Sequence, residues 1–193
     1  MKKLSYGKHY IDQIDINLVK KSLNSEIITN GLYLKGFEKK IKLFTKSKFS
    51  LACNSGTAAL HLSLIAMGVK PKDNILMPTI NFVAAYNMCK LLGANPIFID
   101  VDPLTGQILP ENVSNFIKKN KNIKIKLLIT MFLGGYPENI KKFYQLKKKY
   151  NFLILEDSCH AFGASYFVGK KKYMMGSCAH SDISTFSFHP VKS

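Results

Sequence analysis

From about residue 48 onward, short apolar runs rich in β-branched residues alternate with stretches of helical periodicity, and this rhythm admits few folds. Six runs read as strands: Phe49–Cys53, Asn74–Met77, Pro96–Val101, Ile125–Met131, Phe152–Glu156 and Ile183–Phe188. They are near-continuously hydrophobic rather than alternating, as strands buried on both faces of a parallel sheet must be. Helices are predicted between them over Thr57–Met67, Phe82–Leu92, Pro110–Lys119 and Glu138–Tyr150, with Gly68 and Gly93 where helices end. The pattern predicts an α/β fold with a mostly parallel sheet flanked by helices. Two amphipathic helices, Ile14–Leu23 and Leu34–Phe44, precede it, separated by Ile27-Ile-Thr29-Asn30-Gly31. Residues 1–46 therefore read as an N-terminal helical arm and 47–193 as the sheet domain.

Two segments carry chemistry. Phe152-Leu-Ile-Leu-Glu-Asp157 is an apolar strand that delivers an acid, and Ser187-Phe-His-Pro-Val-Lys192 places an amine 35 residues later, just past another apolar run. Ligands of open α/β sheets lie outside the carboxyl ends of the strands. An acid and a lysine meeting there are what pyridoxal phosphate requires: an amine for its aldehyde, and a carboxylate that keeps its ring nitrogen protonated. Alone, Asp157 reads equally as a helix-capping residue.

Asn54-Ser-Gly56-Thr57-Ala-Ala follows a predicted strand and opens a helix. Unpaired amides and the positive dipole end can seat a phosphate there, though Ser and Thr are also ordinary N-caps. Phe82 lies at the end of a strand, placed either to stack on a flat cofactor or to pack in the core. No G-x-G-x-x-G occurs, and Gly163 to Gly169-Lys170 has the wrong spacing for a P-loop.

The net charge of +16 raises the question of nucleic acid. All 28 basic residues are lysine, and arginine supplies the commonest base-specific contact. The clusters Lys141-Lys142 and Lys147-Lys148-Lys149 fall on the polar face of a predicted helix, which is a solvated surface. A basic, non-catalytic polyanion-binding domain is the rival reading, and it leaves the acid–lysine pair unexplained. Cys53, Cys89, Cys159 and Cys178 show neither disulfide-scaffold density nor the ligand spacing of zinc sites, so reduced thiols and no metal are expected. No apolar run spans a membrane and Met1–Gly7 lacks a signal-peptide core, so a cytoplasmic protein is expected.

Together, Ile28-Thr-Asn-Gly, Asn54-Ser-Gly-Thr-Ala-Ala-Leu, Asn81-Phe-Val-Ala, Glu156-Asp-Ser-Cys-His-Ala and Ser181-Asp-Ile-Ser-Thr-Phe-Ser-Phe-His-Pro-Val-Lys resemble the DegT/DnrJ/EryC1/StrS sugar aminotransferases over nearly the whole chain. The resemblance implies the large domain of a fold-type I, aspartate aminotransferase-like, pyridoxal phosphate-dependent transferase. Lys192 would be the Schiff-base lysine and Asp157 the partner of the pyridinium nitrogen. Phe82 would stack on the ring, Gly56, Thr57 and Ser187 would hold the phosphate, and His160 would lie by the 3-hydroxyl. Thr29 and His189 would meet the substrate. The chain looks most similar to members that aminate C4 of UDP-linked 4-keto-6-deoxy-N-acetyl hexosamines toward pseudaminic acid, with L-glutamate as implied donor. Perosamine- or aminoarabinose-type keto sugars are the alternatives. Relatives form homodimers and continue past the lysine into a small domain, so a C-terminally truncated and, alone, inactive chain is the expectation.

If the lysines are a solvated face, binding to random-sequence DNA should be weak at physiological salt and should collapse as salt rises. A filter-binding titration showing tight, sequence-selective binding would favour the polyanion-binding reading.

Overall fold

The computed structural model describes residues 9–189, 191 and 192, so the first eight residues of the predicted arm and Pro190 of the lysine motif lie outside the described residues. Five strands form one parallel sheet: β1 (Asn74–Pro78), β2 (Asn95–Ile99), β3 (Ile125–Met131), β4 (Leu153–Asp157) and β7 (Ile183–Thr185), in the order β2-β1-β3-β4-β7. A separate antiparallel hairpin joins β5 (Ser165–Val168) to β6 (Lys171–Met174). The helices are α1 (Gln13–Leu23), α2 (Leu32–Thr45), α3 (Gly56–Ala66), α4 (Ala84–Leu91), α5 (Pro110–Lys119) and α6 (Ile140–Tyr150).

Both sheet faces are covered, as the unbroken apolar strands require. Ile75, Met77, Leu127, Ile129 and Leu155 point to one face and pack with Leu60 and Leu64 of α3 and Ala85 and Cys89 of α4. Leu76, Leu128 and Ile154 point to the other, against Val113 of α5 and Phe143 of α6. The period of two along each strand thus sorts successive residues between two cores. On β4 it sends Leu155 and Asp157 toward the α3 side and Ile154 and Glu156 toward α6.

Three expectations are corrected. Phe49–Cys53 is not a strand: Phe49 and Leu51 are 76% and 89% exposed, and the Ala52 N–H donates to Glu38 Oε1 of α2 at 2.9 Å. A strand needs a neighbouring edge for its amides, and here a side chain answers instead. The last strand ends at Thr185 rather than Phe188, because the chain beyond turns into an aromatic cluster. In that cluster Phe188 lies edge-on to Phe37 of α2 at 5.2 Å and to Phe162 at 4.9 Å. The β5–β6 hairpin was not predicted; its signal is the two-residue Gly169-Lys170 connection between Tyr-Phe-Val and Lys-Lys-Tyr, with Gly169 at a φ of 61°.

The two helices of the predicted arm differ. Asp12 accepts from the Ile14 and Asp15 amides and Asp15 reciprocates, a capping box that starts α1, yet α1 buries no residue. Helix α2 is held to the sheet domain by Glu38, Phe37 and Phe44, the last stacked on Phe162 at 5.1 Å.

Beyond β3, a single 3-10 turn at Leu133–Gly135 passes beneath the residues that follow β4. Gly135 has a φ of 80°, and a Cβ placed on it would lie 2.4 Å from the His160 carbonyl oxygen. Both the left-handed backbone and the close approach demand glycine. Gly135→Ala should destabilise the protein by about 1–3 kcal/mol in urea unfolding. A change below about 0.5 kcal/mol, the range of neutral surface substitutions, would show that this contact does not constrain the fold.

Candidate active site

Two neighbouring parallel strands bring the acid and the amine together. Asp157 pairs in register with Thr185, so the lysine loop that follows Thr185 starts beside the carboxylate. The Lys192 N–H donates to the His189 carbonyl at 2.8 Å, a turn that brings the side chain back over the strand ends. There Lys192 Nζ lies 2.7 Å from His160 Nε2 and 5.5 Å from the centroid of the Phe82 ring. A lysine ammonium only donates, so Nε2 accepts and the neutral imidazole carries its proton on Nδ1. Burial, then the adjacent lysine charge, lowers the His160 pKa and keeps the ring neutral.

Asp157 is 2% exposed. Burial is the largest influence on its carboxyl and raises its pKa; the Cys159 thiol and amide, His160 and Lys192 pull the other way. The Cys159 N–H donates to Asp157 Oδ1 at 3.2 Å. Among the described residues Asp157 has no ion-pair partner, so it is a desolvated acid without a contacting cation. No helix follows it, which removes the helix-capping reading.

Helix α3 begins opposite. Ser55, not Thr57, is its N-cap, accepting from the Ala58 amide at 3.1 Å. The Gly56 and Thr57 amides find no acceptor among the described residues. A Cβ on Gly56 would lie 3.2 Å from both Cys159 Sγ and Ser187 Cβ. The helix start, Ser187 and the turn after β4 thus form a cradle that a side chain at position 56 would crowd, and free amides at a helix N-terminus suit an anion.

Phe82 precedes α4 rather than starting it and is 61% exposed, so it is no core residue. Beside it, the buried Asn81 amide has neither donor nor acceptor satisfied. His189 is exposed on the lysine loop, its Nδ1 accepting from the Val191 amide at 3.3 Å. Thr29 stands apart, in the exposed turn between α1 and α2, with no hydrogen bond to the other candidates among the described residues.

Sequence reasoning overlooked two residues here. Cys159 touches both Asp157 and the cradle, and its place two residues after the acid was the available signal. Glu156 is 3% exposed, as the end of so apolar a strand foretells. Among the described residues no group of three His, Cys, Asp or Glu side chains is placed to hold a metal.

Comparison with known proteins places this arrangement. The DegT/DnrJ/EryC1/StrS aminotransferase family profile matches residues 9–193, and the chain belongs to that family. It is 36% identical to GDP-perosamine synthase of Escherichia coli O157:H7, over 84% of this chain and 42% of that protein. It is 35% identical to UDP-4-amino-4,6-dideoxy-N-acetyl-beta-L-altrosamine transaminase of Campylobacter jejuni, over 98% and 48%. Helicobacter pylori PseC, an aminotransferase involved in the biosynthesis of pseudoaminic acid, superposes with a TM-score of 0.85 at 28% identity, covering 99% of this chain and 49% of that one. Spr1654 from Streptococcus pneumoniae in its PLP form gives 0.85 at 27%, covering 98% and 50%. The chain spans about half the length of the curated relatives it matches. The cofactor these comparisons indicate is pyridoxal phosphate.

The residues present fit that group. The Gly56 cradle matches a phosphate, Asp157, which has no ion-pair partner among the described residues, a protonated ring nitrogen, and the exposed Phe82 face a flat ring. Gly56→Ala should push a methyl into the cradle and weaken pyridoxal phosphate binding on the order of 10-fold, about 1.4 kcal/mol, in a fluorescence titration. Parent-like affinity would place the phosphate elsewhere.

Proposed function

We propose that this chain supplies the cofactor-binding part of a sugar-nucleotide aminotransferase that aminates C4 of a UDP-linked 4-keto-6-deoxy-N-acetyl hexosamine, with L-glutamate as donor. The observation that carries the reading is the meeting of Lys192, His160 and Phe82 over the strand end where Asp157 is buried. The similarity to the C. jejuni transaminase over 98% of the chain supports the sugar class. A GDP-linked 4-keto sugar is the second reading, favoured by the 36% identity to GDP-perosamine synthase.

Bound pyridoxal phosphate supplies an aldehyde for an amine and an electron sink for the charge left when a C–H bond breaks. The chain's own residues do the rest. Gly56, Thr57 and Ser187 hold the phosphate, and Phe82 covers one face of the ring. Asp157 holds a proton on the ring nitrogen; facing that cation, its carboxyl loses the reason it has to stay protonated. Lys192 Nζ would shuttle a proton between the substrate carbon and the cofactor, taking it from one as general base and delivering it to the other as general acid. His160 Nε2 accepts from Lys192 and fixes where the amine waits. Thr29 and His189 are assigned to the substrate side.

The reading includes a cytoplasmic homodimer. Four free cysteines fit a reducing compartment. Tyr10, Ile14, Val19 and Leu23, on and beside a helix that buries nothing, offer apolar surface for a partner subunit. Among the described residues no helix is long and apolar enough to cross a membrane.

Borohydride reduction of the cofactor-loaded protein, followed by peptide mapping, should fix the cofactor on Lys192. Its appearance on another lysine would sink the assignment. Lys192→Ala should slow the chemical step on the order of 10²–10⁴-fold. Asp157→Asn should slow it as well while leaving the fold intact, and parent-rate turnover would refute the electron-sink role. Turnover of UDP- against GDP-linked 4-keto sugars separates the two substrate readings.

A further inference from the structure

Directly behind Asp157, on the α6 face of the sheet, a polar row crosses three strands. Thr130 of β3, Glu156 of β4 and Ser184 of β7 are register partners, one step before the row Met131, Asp157 and Thr185. Thr130 is 1% and Glu156 3% exposed, and Ser184 is half-buried. Ser158 Oγ lies 2.9 Å from Ser184 Oγ, and the Thr185 hydroxyl donates to the Glu156 carbonyl at 3.4 Å. The recess around Glu156 is lined by Phe132, Ile140, Phe143, Ile154 and His180, and it is too tight for a water molecule. Among the described residues the Thr130 hydroxyl in this recess has no hydrogen-bond partner, and neither do the buried Ser177 and Ser181 hydroxyls. Neutral hydroxyls that rotate, with no room for water, suit an uncharged acid able to donate as well as accept.

Among the described residues no cation answers Glu156. From α6, Lys147 is engaged with Asp182, whose other oxygen accepts from the Ile154 amide at 2.8 Å. From β5, the Tyr166 hydroxyl is spent on His180 Nδ1 at 2.8 Å, and Tyr144 of α6 meets the same ring edge-on at 5.1 Å. Cys178 stays a thiol, since burial and then Glu156 push its pKa up to about 11. Burial pushes the Glu156 pKa up to about 7, against smaller lowering by Ser181 and Ser184.

We propose that Glu156 is a positioning residue for Asp157: a buried carboxylic acid that joins the carboxyl ends of β3, β4 and β7 from the reverse face and so holds Asp157 in the site. The proposal rests on the functional reading above for what Asp157 does, and it adds an upper pH limit. A group whose folded pKa lies above its unfolded value contributes stability that is present at low pH and lost as pH rises through the folded value. For Glu156 that loss sets in above the ordinary carboxyl value of 4.5 and is nearly complete by about pH 7, as an uncompensated anion forms one residue from Asp157.

The experiment compares the parent protein with Glu156→Gln and Glu156→Ala, each also in an Asp157→Asn background. Without cofactor, the Tm of the parent should fall as pH rises from about 4.5 to about 7, and Glu156→Gln, which keeps the shape and cannot ionise, should lessen that fall. An identical pH profile for parent and Glu156→Gln would overturn the proposal. With pyridoxal phosphate, Glu156→Gln should bind within about threefold of the parent, whereas Glu156→Ala should weaken binding on the order of 10²-fold. That loss should vanish once Asp157 is Asn. An equal loss in both backgrounds would mark Glu156 as merely structural and overturn the positioning role. Failure of the parent to take up cofactor would overturn the functional reading and the Asp157 coupling with it, while the Tm comparison would still stand or fall by itself.

Discussion

Asp157 is taken out of water by its place at the carboxyl end of β4, and desolvation alone raises its carboxyl pKa. A buried acid is tolerated where something compensates it. Here the compensation is assembled from elsewhere in the chain: an amide and thiol two residues on, an imidazole three residues on, and a lysine that returns from the neighbouring strand. The parallel pairing of β4 with β7 makes that return possible. An antiparallel neighbour would carry the following loop to the opposite end of the sheet.

The same strand sorts two adjacent acids between two environments. Asp157 faces α3, with its free amides, and the lysine loop, where a cationic ring nitrogen is the implied partner. Glu156 faces α6 and a set of neutral hydroxyls. The difference arises from strand geometry rather than from residue chemistry, because successive side chains on a strand point to opposite faces. Two carboxyls one peptide apart therefore sit in different surroundings, both with pKa values raised by burial.

The attachment of α2 shows how the site borrows rigidity from its surroundings. Phe37 meets Phe188 on the lysine loop, while Phe162, just after the His160 turn, stacks on Phe44 and meets Phe186 and Phe188 edge-on. The loop bearing Lys192 and the turn bearing His160 are thus packed on one aromatic cluster. That common support accounts for their 2.7 Å contact across 32 residues of sequence. Gly135 beneath the His160 carbonyl completes it from the other side.

Much of this was legible in the chain itself. Unbroken apolar runs determined a parallel sheet, since strands covered on both faces leave no polar side to alternate, and all five sheet strands fall within or beside predicted runs. Asp157 stood out because it ends an apolar run, and Gly56 and Lys192 because each follows one. What sequence left open was decided by partners distant in the chain. Phe49–Cys53 has strand composition but gives its Ala52 amide to Glu38. Phe82 read as core or as site, and only its exposed position beside Lys192 separates the two. Glu156 and Cys159 acquired roles from register and from loop return, which are properties of strand pairing. Local pattern specifies which residues enter the sheet and which face they take; which groups then meet at its edge depends on contacts that only the folded chain makes.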